Sequence, residues 1–261
     1  MNLVDMFYRE IEDGKARKVP LIIPIGTMEY HGQHASLGTD TMVITGVMER
    51  LGKRKEIIVA PPIWYGVASY AVCGPEKNTI QVDCDPYEGY ITEILKSLVY
   101  GGWKNIYLVF HHQSEGDGLM PMSLACMKAA KKVTLRYLEE TRGQGWWGSN
   151  DMQDYYNNLD TSDNPMTFIK TIQLMDAETQ KKIGGFDHAG QYETSLLAAV
   201  YPQNVNFERT GWNTEWFAIP SQKASVELGE MMVKHKCAGY RFVYAYSVPA
   251  LQKTVCGSGT C

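Results

Sequence analysis

The stretch Val19-Pro-Leu-Ile-Ile-Pro-Ile-Gly26 is a short apolar run, rich in β-branched residues, that ends at a glycine. Such a run is typical of a strand that is buried on both faces of a parallel sheet. A second run of this kind, Asn105-Ile-Tyr-Leu-Val-Phe110, leads directly into His111-His112. Because sites in open parallel sheets form beyond the carboxyl ends of the strands, we expect the residues that follow both runs to meet in one site.

The rest of the chain predicts an α/β fold around these two strands. Further strands are predicted at 57–61, 79–82 and 133–137, and helices at 40–51, 86–100, 116–130, from 193 onward, and 221–236. Gly101-Gly102 marks the end of the predicted helix 86–100, since glycine commonly ends helices. Residues 143–163 are the least regular region and contain Trp146-Trp147, which are expected to form a lid, a subunit contact or part of the core.

Composition narrows the class of protein. The chain has 261 residues, of which 44% are hydrophobic, so that residues 1–261 are expected to form one domain with a full core. A net charge of -4 gives no basic field for a nucleic acid backbone, so no nucleic acid partner is expected. No apolar segment has the length of a signal peptide core or a membrane span, which predicts a cytoplasmic protein with no membrane partner. The six cysteines form no Cys-x-x-Cys pair and predict neither a thiolate zinc site nor a disulfide framework.

Five of the six histidines lie in three short segments that also contain carboxylates. The segments are Glu29-Tyr-His31-Gly-Gln-His34 followed by Asp40, His111-His112-Gln-Ser-Glu115, and Asp187-His188-Ala-Gly-Gln-Tyr-Glu193. Neutral imidazole and carboxylate together are the ligands that zinc, manganese and cobalt take in proteins. The pattern therefore predicts a metal-dependent hydrolase.

Local spacing suggests how the first segment would present its side chains. Glu29 and His31 are separated by one residue, so in an extended segment both point to the same side and can hold one metal ion or share two. Asp40 lies at the start of a predicted helix, from which its carboxylate can reach the same centre or cap the helix.

The other two segments carry similar expectations. The side chains of the adjacent residues His111 and His112 should diverge, so only one of them is expected to enter the site. A turn at Ala189-Gly190 should separate a loop histidine, His188, from Glu193 in the first turn of the next helix. That geometry suits a metal ligand at Glu193 and a mobile acid or base at His188.

These segments resemble the creatininase family of metal-dependent amidohydrolases. Gly26-Thr-Met-Glu-Tyr-His-Gly-Gln-His-Ala-Ser-Leu-Gly-Thr-Asp40 is similar to the family pattern G-x-x-E-Q-H-G-P-H-L-P-L-G-T-D. Val109-Phe-His-His-Gln-Ser-Glu115 is similar to a family segment N-G-H-Y-E-N or N-G-H-G-G-N, which places His112 on a metal-binding histidine. Asp187-His-Ala-Gly-Gln-Tyr-Glu-Thr-Ser195 is similar to H-A-G-x-x-E-T-S, and Ala224-Ser-Val-Glu-Leu-Gly229 resembles the last family helix.

The resemblance implies a three-layer α/β/α fold with a mostly parallel central sheet and two divalent metal ions per chain, zinc or manganese or both. Asp40 would bridge the ions, Glu29 and His112 would complete one ligand set, and His31 would belong to the other. Ser114 stands where creatininase has a ligand carboxylate, so Glu193, or alternatively Glu115, would complete the second set. His188 would be the catalytic histidine. A homo-oligomer, with a hexamer as one form, is also implied.

The predicted activity is attack by a metal-bound hydroxide that opens a small cyclic amide or cleaves a related C–N bond. The segment 65–79 departs from the family pattern, which disfavours creatinine itself as the substrate. One alternative is hydrolysis of a cyclic polyol diketone such as an inosose derivative. Another is a non-catalytic metal-binding or ligand-binding protein on the same fold. A nucleotide-binding protein is disfavoured because neither G-x-G-x-x-G after the first strand nor G-x-x-x-x-G-K-[ST] is present.

Overall fold

The computed structural model describes residues 1–112, 120–159 and 164–239. Its central sheet has the strand order β2-β1-β3-β4, and every neighbouring pair is parallel. The strands are β1 (Leu21–Ile25), β2 (Ile58–Val59), β3 (Ile106–Phe110) and β4 (Ile169–Gln173). Ile25 pairs with Phe110, so the chain leaves β1 and β3 side by side at the same edge of the sheet.

Helices cover both faces of this sheet. Their bounds are α1 (Tyr8–Ala16), α2 (Thr39–Gly52), α3 (Cys84–Tyr100), α4 (Pro121–Arg142), α5 (Ala177–Ile183), α6 (Gln191–Val200) and α7 (Val226–Gly239). Because successive strand side chains point to opposite faces, β1 and β3 contribute to two separate cores. Leu21, Ile23 and Ile25 join the core that contains residues of α3 and α4, whereas Ile22 joins the core that contains residues of α2, α6 and α7. The predicted three-layer α/β/α fold is confirmed.

Two of the predicted strands are wrong. Residues 133–137 belong to the long helix α4, in which Val133 is buried on the same face as Cys126, Ala129 and Ala130. The β-branched pair Val133-Thr134 favours a strand locally, but the helical period of the buried positions continues through it and decides the structure. Residues 79–82 form no strand, and Ile80 makes only an isolated antiparallel bridge to Met28.

Other boundaries also differ from the sequence predictions. The helix expected at 116–130 starts at Pro121 and continues to Arg142, while residues 116–119 lie outside the described residues. The C-terminal helix starts at Val226, after a 3-10 segment at Ile219–Lys223. Helices α1 and α5 and the edge strand β4 were not predicted at all. β4 reads Ile-Lys-Thr-Ile-Gln and is only partly buried, so it lacks the continuous apolar run that identifies β1 and β3.

The tryptophan region contains three short 3-10 segments at Trp146–Gly148, Asn150–Met152 and Tyr155–Asn158. Trp146 packs against the core, whereas Trp147 is half exposed and contacts the rings of Tyr155 and Tyr156. In the described parts of the chain, none of the helices is both long enough and apolar enough to cross a bilayer.

Candidate metal centre

Five of the residues predicted for the site come together at the carboxyl edge of the sheet. Glu29 and His31 follow β1, His112 follows β3, Asp40 lies in the first turn of α2, and Glu193 lies in the first turn of α6. All five are buried. Gly38, not Asp40, occupies the N-cap position of α2, so the expectation that Asp40 caps this helix is wrong and its carboxylate is directed into the site.

A glycine allows this close approach. Gly26 ends the apolar run of β1, and a Cβ atom built on it would lie 2.4 Å from the backbone nitrogen of Thr41 in α2. Only a residue without a side chain lets the end of the strand contact the first turn of the helix. The glycine thus brings Asp40 to the carboxyl edge of the sheet.

The side chains form two groups that share Asp40. In one group, Nδ1 of His112 lies 3.1 Å from Oε1 of Glu29 and 3.1 Å from Oδ2 of Asp40. In the other, Nε2 of His31 lies 3.4 Å from Oδ1 of Asp40 and 3.3 Å from Oε2 of Glu193. Each group offers three ligand atoms within 4.8 Å of one another. The two oxygens of Asp40 therefore face different histidines.

Several atoms of the two groups are buried without a hydrogen-bond partner among the described residues. They include Nε2 of His31 and Oδ2 of Asp40. Nδ1 of His31 lies 2.9 Å from the carbonyl oxygen of Glu29, to which it can only donate, so the lone pair of the neutral ring is on Nε2 and faces the carboxylates. Buried polar atoms without partners are costly, and a divalent cation would satisfy them. The donor set fits a metal ion.

Comparison with known proteins agrees with this geometry. The model of the creatinine amidohydrolase (creatininase) family matches residues 4–240. The chain belongs to the creatininase family.

The creatininase relatives include creatinine amidohydrolase of Pseudomonas putida, which is 25% identical over 202 residues, or 72% of this chain and 67% of that protein. 3-dehydro-scyllo-inosose hydrolase of Thermotoga maritima is 30% identical over 95 residues, or 36% of this chain and 30% of that protein. A solved structure of creatininase with manganese superposes with a TM-score of 0.66 at 21% identity and covers 91% of this chain and 95% of that one. Members of the family are metal-dependent amidohydrolases, and the chain is an enzyme of this class.

Three buried carboxylates, those of Glu29, Asp40 and Glu193, determine the pKa values of the histidines in the two groups of this creatininase-type site. Burial opposes protonation of His112, but Glu29 and Asp40 outweigh burial and raise its pKa to about 10. Burial likewise opposes protonation of His31, yet Glu193 and Asp40 raise its pKa well above the usual range. Burial disfavours ionisation of Asp40, but His31 and His112 lower its pKa to about 2. Without metal ions, protonated imidazoles therefore supply the positive charge.

His188 lies at the rim of the site and is the least buried of the predicted residues, with its side chain 23% exposed. Its Nε2 donates to the carbonyl oxygen of Tyr30 at 3.0 Å. Its Nδ1 consequently points inward, 3.5 Å from Oε1 of Glu29 and 4.0 Å from Oε2 of Glu193. The ring also stacks obliquely on His31, with the ring centroids 4.3 Å apart.

The turn between His188 and Glu193 has the predicted form. Ala189 adopts a left-handed φ of 50°, and Gly190 is the N-cap of α6. The backbone N–H of Ala189 donates to Oε2 of Glu193 at 2.7 Å, while Asp187 accepts hydrogen bonds from the N–H groups of Tyr192 and Glu193. The side chain of Asp187 thus accepts hydrogen bonds from the free N–H groups in the first turn of α6, in place of a side chain at Gly190. The carboxylates of Asp187 and Glu193 together hold the strained turn.

His111 and His112 diverge, as expected of neighbours at a strand end. His112 joins the group around Glu29, whereas Nε2 of His111 lies 3.0 Å from Oε1 of Glu193. His111 therefore holds Glu193 through the carboxylate oxygen that does not face His31. Glu115, the other residue considered for the second ligand set, lies outside the described residues.

Sequence analysis missed the roles of His34 and Asn213. His34 Nε2 donates to Oγ1 of Thr194 at 2.8 Å, and Nδ2 of Asn213 donates to His34 Nδ1 at 2.9 Å. Burial lowers the pKa of His34 to about 4, so its ring is neutral. These bonds join the loop that carries His31 to α6, which carries Glu193. The second histidine of the first signature was a signal for His34, but Asn213 lies 179 residues away and had none.

Two cavities meet at His188. One of about 180 Å³ is lined by Glu29, His112 and His188 together with apolar residues, namely Ala68, Ala71, Val72 and Met120. The other, of about 320 Å³, is also lined by His188, and its wall includes Phe186, Trp216 and Phe217.

Proposed function

We propose that this enzyme hydrolyses a small amide, such as a cyclic amide, with a two-metal centre bridged by Asp40. The observation that carries the proposal is the position of the Asp40 carboxylate. Its Oδ2 lies 3.1 Å from His112 and its Oδ1 lies 3.4 Å from His31, so each oxygen belongs to a different group of ligand atoms. A carboxylate placed in this way can bind two ions at once.

The two ligand sets follow from these contacts. Glu29, His112 and Asp40 would hold one divalent ion, and His31, Glu193 and Asp40 would hold the other. Imidazole nitrogen and carboxylate oxygen suit zinc and manganese, and a related creatininase has been solved with manganese. When bound, the ions would polarise the substrate carbonyl and lower the pKa of an attacking water.

His188 would handle the proton. Because its Nε2–H is held by the Tyr30 carbonyl, Nδ1 is the nitrogen that can accept a proton from the site and donate it to the leaving nitrogen. Tyr30 positions the ring by fixing which nitrogen faces the site.

The part of the substrate that carries the carbonyl group must fit the 180 Å³ cavity that is lined by Glu29 and His112. This volume suits a compact amide or lactam, and the changed segment 65–79, which contributes Ala68, Ala71 and Val72 to the wall, argues against creatinine. The similarity to an enzyme named 3-dehydro-scyllo-inosose hydrolase favours a cyclic polyol diketone as the second candidate. We also propose that residues 1–261 form a single domain, that the protein is cytoplasmic, and that it forms a homo-oligomer, of which a hexamer is one form.

The test is hydrolysis by protein loaded with zinc or manganese, assayed on lactams, formamides and cyclic diketones. We expect metal-dependent turnover of one class, and a His188→Asn variant that loses about 10²- to 10⁴-fold in kcat while it retains its metal content. A matched His235→Asn variant, which changes the one histidine outside the three segments, should keep full activity. Metal-loaded protein that hydrolyses none of the three classes would contradict the proposal in favour of a binding protein.

A further inference from the structure

Two of the three aromatic residues that line the larger cavity, Trp216 and Phe217, form an aromatic wall that belongs to a single turn of the chain. Phe217 packs edge-on against His188, with ring centroids 5.4 Å apart and an interplanar angle of 67°. Trp216 packs edge-on against Phe217 at 5.9 Å, and it is 84% exposed. Adjoining aromatic rings that line a cavity and remain partly exposed form an apolar patch, and such patches are typical of surfaces that contact a ligand.

The turn that carries these rings is held firmly at both ends. At one end, Asn213 is buried and bonds to the Gln33 backbone N–H and to His34. At the other end, the backbone N–H of Ala218 donates to the Glu215 carbonyl oxygen, and Ala218 is fully buried. The wall is therefore preorganised, which reduces the entropy lost when a ligand binds.

The same turn is linked to the residue that orients His188. Tyr30 accepts the Nε2–H of His188 with its carbonyl oxygen, and its hydroxyl donates to Oε1 of Glu215 at 3.0 Å. Lys77 lies 3.7 Å from the same Glu215 oxygen and 4.9 Å from the centre of the Tyr30 ring. Tyr30 thus binds His188 through its carbonyl oxygen and the turn of the aromatic wall through its hydroxyl, which fixes the position of the wall relative to His188.

We propose that the cavity between Phe186, Trp216 and Phe217 binds an aromatic ring carried by the leaving amine of the substrate. The inference rests on the proposed function, because it uses His188 as the group that protonates the leaving nitrogen. His188 lines both cavities, so a group attached to a nitrogen that is held next to His188 can reach the 320 Å³ cavity. Asp187, which also lines this cavity, provides negative charge for the ammonium product.

The reaction balances as an ordinary hydrolysis. The oxygen of water forms a bond to the carbonyl carbon and the C–N bond breaks. One proton of the water passes through Nδ1 of His188 to the leaving nitrogen, which gives a carboxylic acid and an aromatic-substituted amine. No oxidant or second substrate is needed.

Binding of the amine product tests the site without requiring turnover. Benzylamine, cyclohexylamine and methylamine are titrated into the metal-loaded protein of 261 residues by calorimetry. An edge or face contact with aromatic rings, added to burial, should make benzylamine bind about 10-fold tighter than methylamine, with cyclohexylamine between them. In Trp216→Ala and in Phe217→Leu the preference should fall to within about 2-fold. The control Trp147→Ala removes another half-exposed indole, one that contacts Tyr155 and Tyr156, and should leave the preference unchanged.

Equal binding of the three amines by the wild-type protein overturns the proposal. A preference for benzylamine that survives in both Trp216→Ala and Phe217→Leu also overturns it. The proposal is likewise overturned if Trp216→Ala abolishes self-association while amine binding stays the same, since Trp216 then contacts a second copy of the chain.

A kinetic comparison separates this inference from the proposed function. N-benzylformamide should exceed N-methylformamide in kcat/KM by about 10-fold, with Trp216→Ala acting on KM and not on kcat. If no lactam or formamide is hydrolysed but benzylamine binding depends on Trp216, the aromatic site is supported and the amide hydrolase is contradicted. If both formamides are hydrolysed equally, the hydrolase is supported and the aromatic site is overturned.

Discussion

Replacing Asp40 by asparagine tests the two-metal centre at the residue that both ligand groups share. The change keeps the size of the side chain and removes its negative charge. In place of two carboxylate oxygens, which lie 3.4 Å from His31 and 3.1 Å from His112, the amide presents one oxygen and one NH₂ donor. An NH₂ group cannot bind a cation, so the variant cannot bridge two ions.

The expected effects can be estimated separately for the loaded and the metal-free protein. Removing a residue that only supports a metal ligand typically costs 10- to 100-fold in metal affinity, so loss of the shared ligand should cost more than about 100-fold. In the metal-free protein, asparagine mimics the protonated acid. Since the pKa of Asp40 is about 2 instead of 3.8, the folded state at pH 7 should lose about 2 kcal/mol. This contribution is present above pH 3.8 and is lost as the pH falls through about 2.

Two measurements check these values. Elemental analysis after reconstitution should find about two ions in the wild type and one or none in the variant, and urea unfolding with chelator at pH 7 should show the loss of stability. Asp85→Asn, in the exposed first turn of α3, removes the same charge elsewhere and should change neither result. Two ions held by Asp40→Asn with wild-type affinity would refute the bridging role.

Three further outcomes concern the structure around the site. Gly26→Ala places a Cβ atom 2.4 Å from the Thr41 backbone and should lower the free energy of unfolding by about 1–3 kcal/mol or more. Gly89→Ala in α3 has open space around it and should raise the free energy of unfolding by up to about 1 kcal/mol. Chemical denaturation of both variants checks these values. Because the pKa of His34 is lowered to about 4, the free energy of unfolding should fall by about 3 kcal/mol as the pH drops from 6.5 to 4. His34→Gln should remove this fall, and equal pH profiles of the variant and the wild type would contradict the role of His34. Burial lowers the pKa of Lys170 to about 8, so the free energy of unfolding should rise by about 3 kcal/mol between pH 8 and 10.5. Lys170→Met should show a smaller rise, and an equal rise in the variant would exclude Lys170 as the cause.

The fold could be predicted wherever local patterns and burial agree. β1 and β3 are buried on both faces, so their sequences are continuously apolar and identify them as central parallel strands. β4 lies at the edge of the sheet and carries Lys170, so its sequence resembles a loop. α4 shows the opposite conflict, because Val133 and Thr134 favour a strand while the burial pattern of 22 residues makes a helix.

The sequence by itself determined the family of the chain and the chemistry that is expected at its site. Residue type and local spacing placed histidines and carboxylates in segments at the ends of strands and the starts of helices. The resemblance to the creatininase family then implied roles for individual residues, namely Glu29, His31, Asp40, His112, His188 and Glu193. The sequence also indicated that His111 and His112 must diverge, since neighbours at a strand end point to opposite sides.

Only the tertiary structure decided how these residues are shared and oriented. The two oxygens of Asp40 face different histidines because Gly26 lets β1 approach α2, and His188 presents Nδ1 because the Tyr30 carbonyl, 158 positions away in the chain, accepts its other nitrogen. His34 depends in the same way on Asn213, and the aromatic wall of Trp216 and Phe217 depends on the turn that Asn213 holds. Contacts between residues so far apart depend on how the layers pack, and local sequence patterns carry no record of that packing.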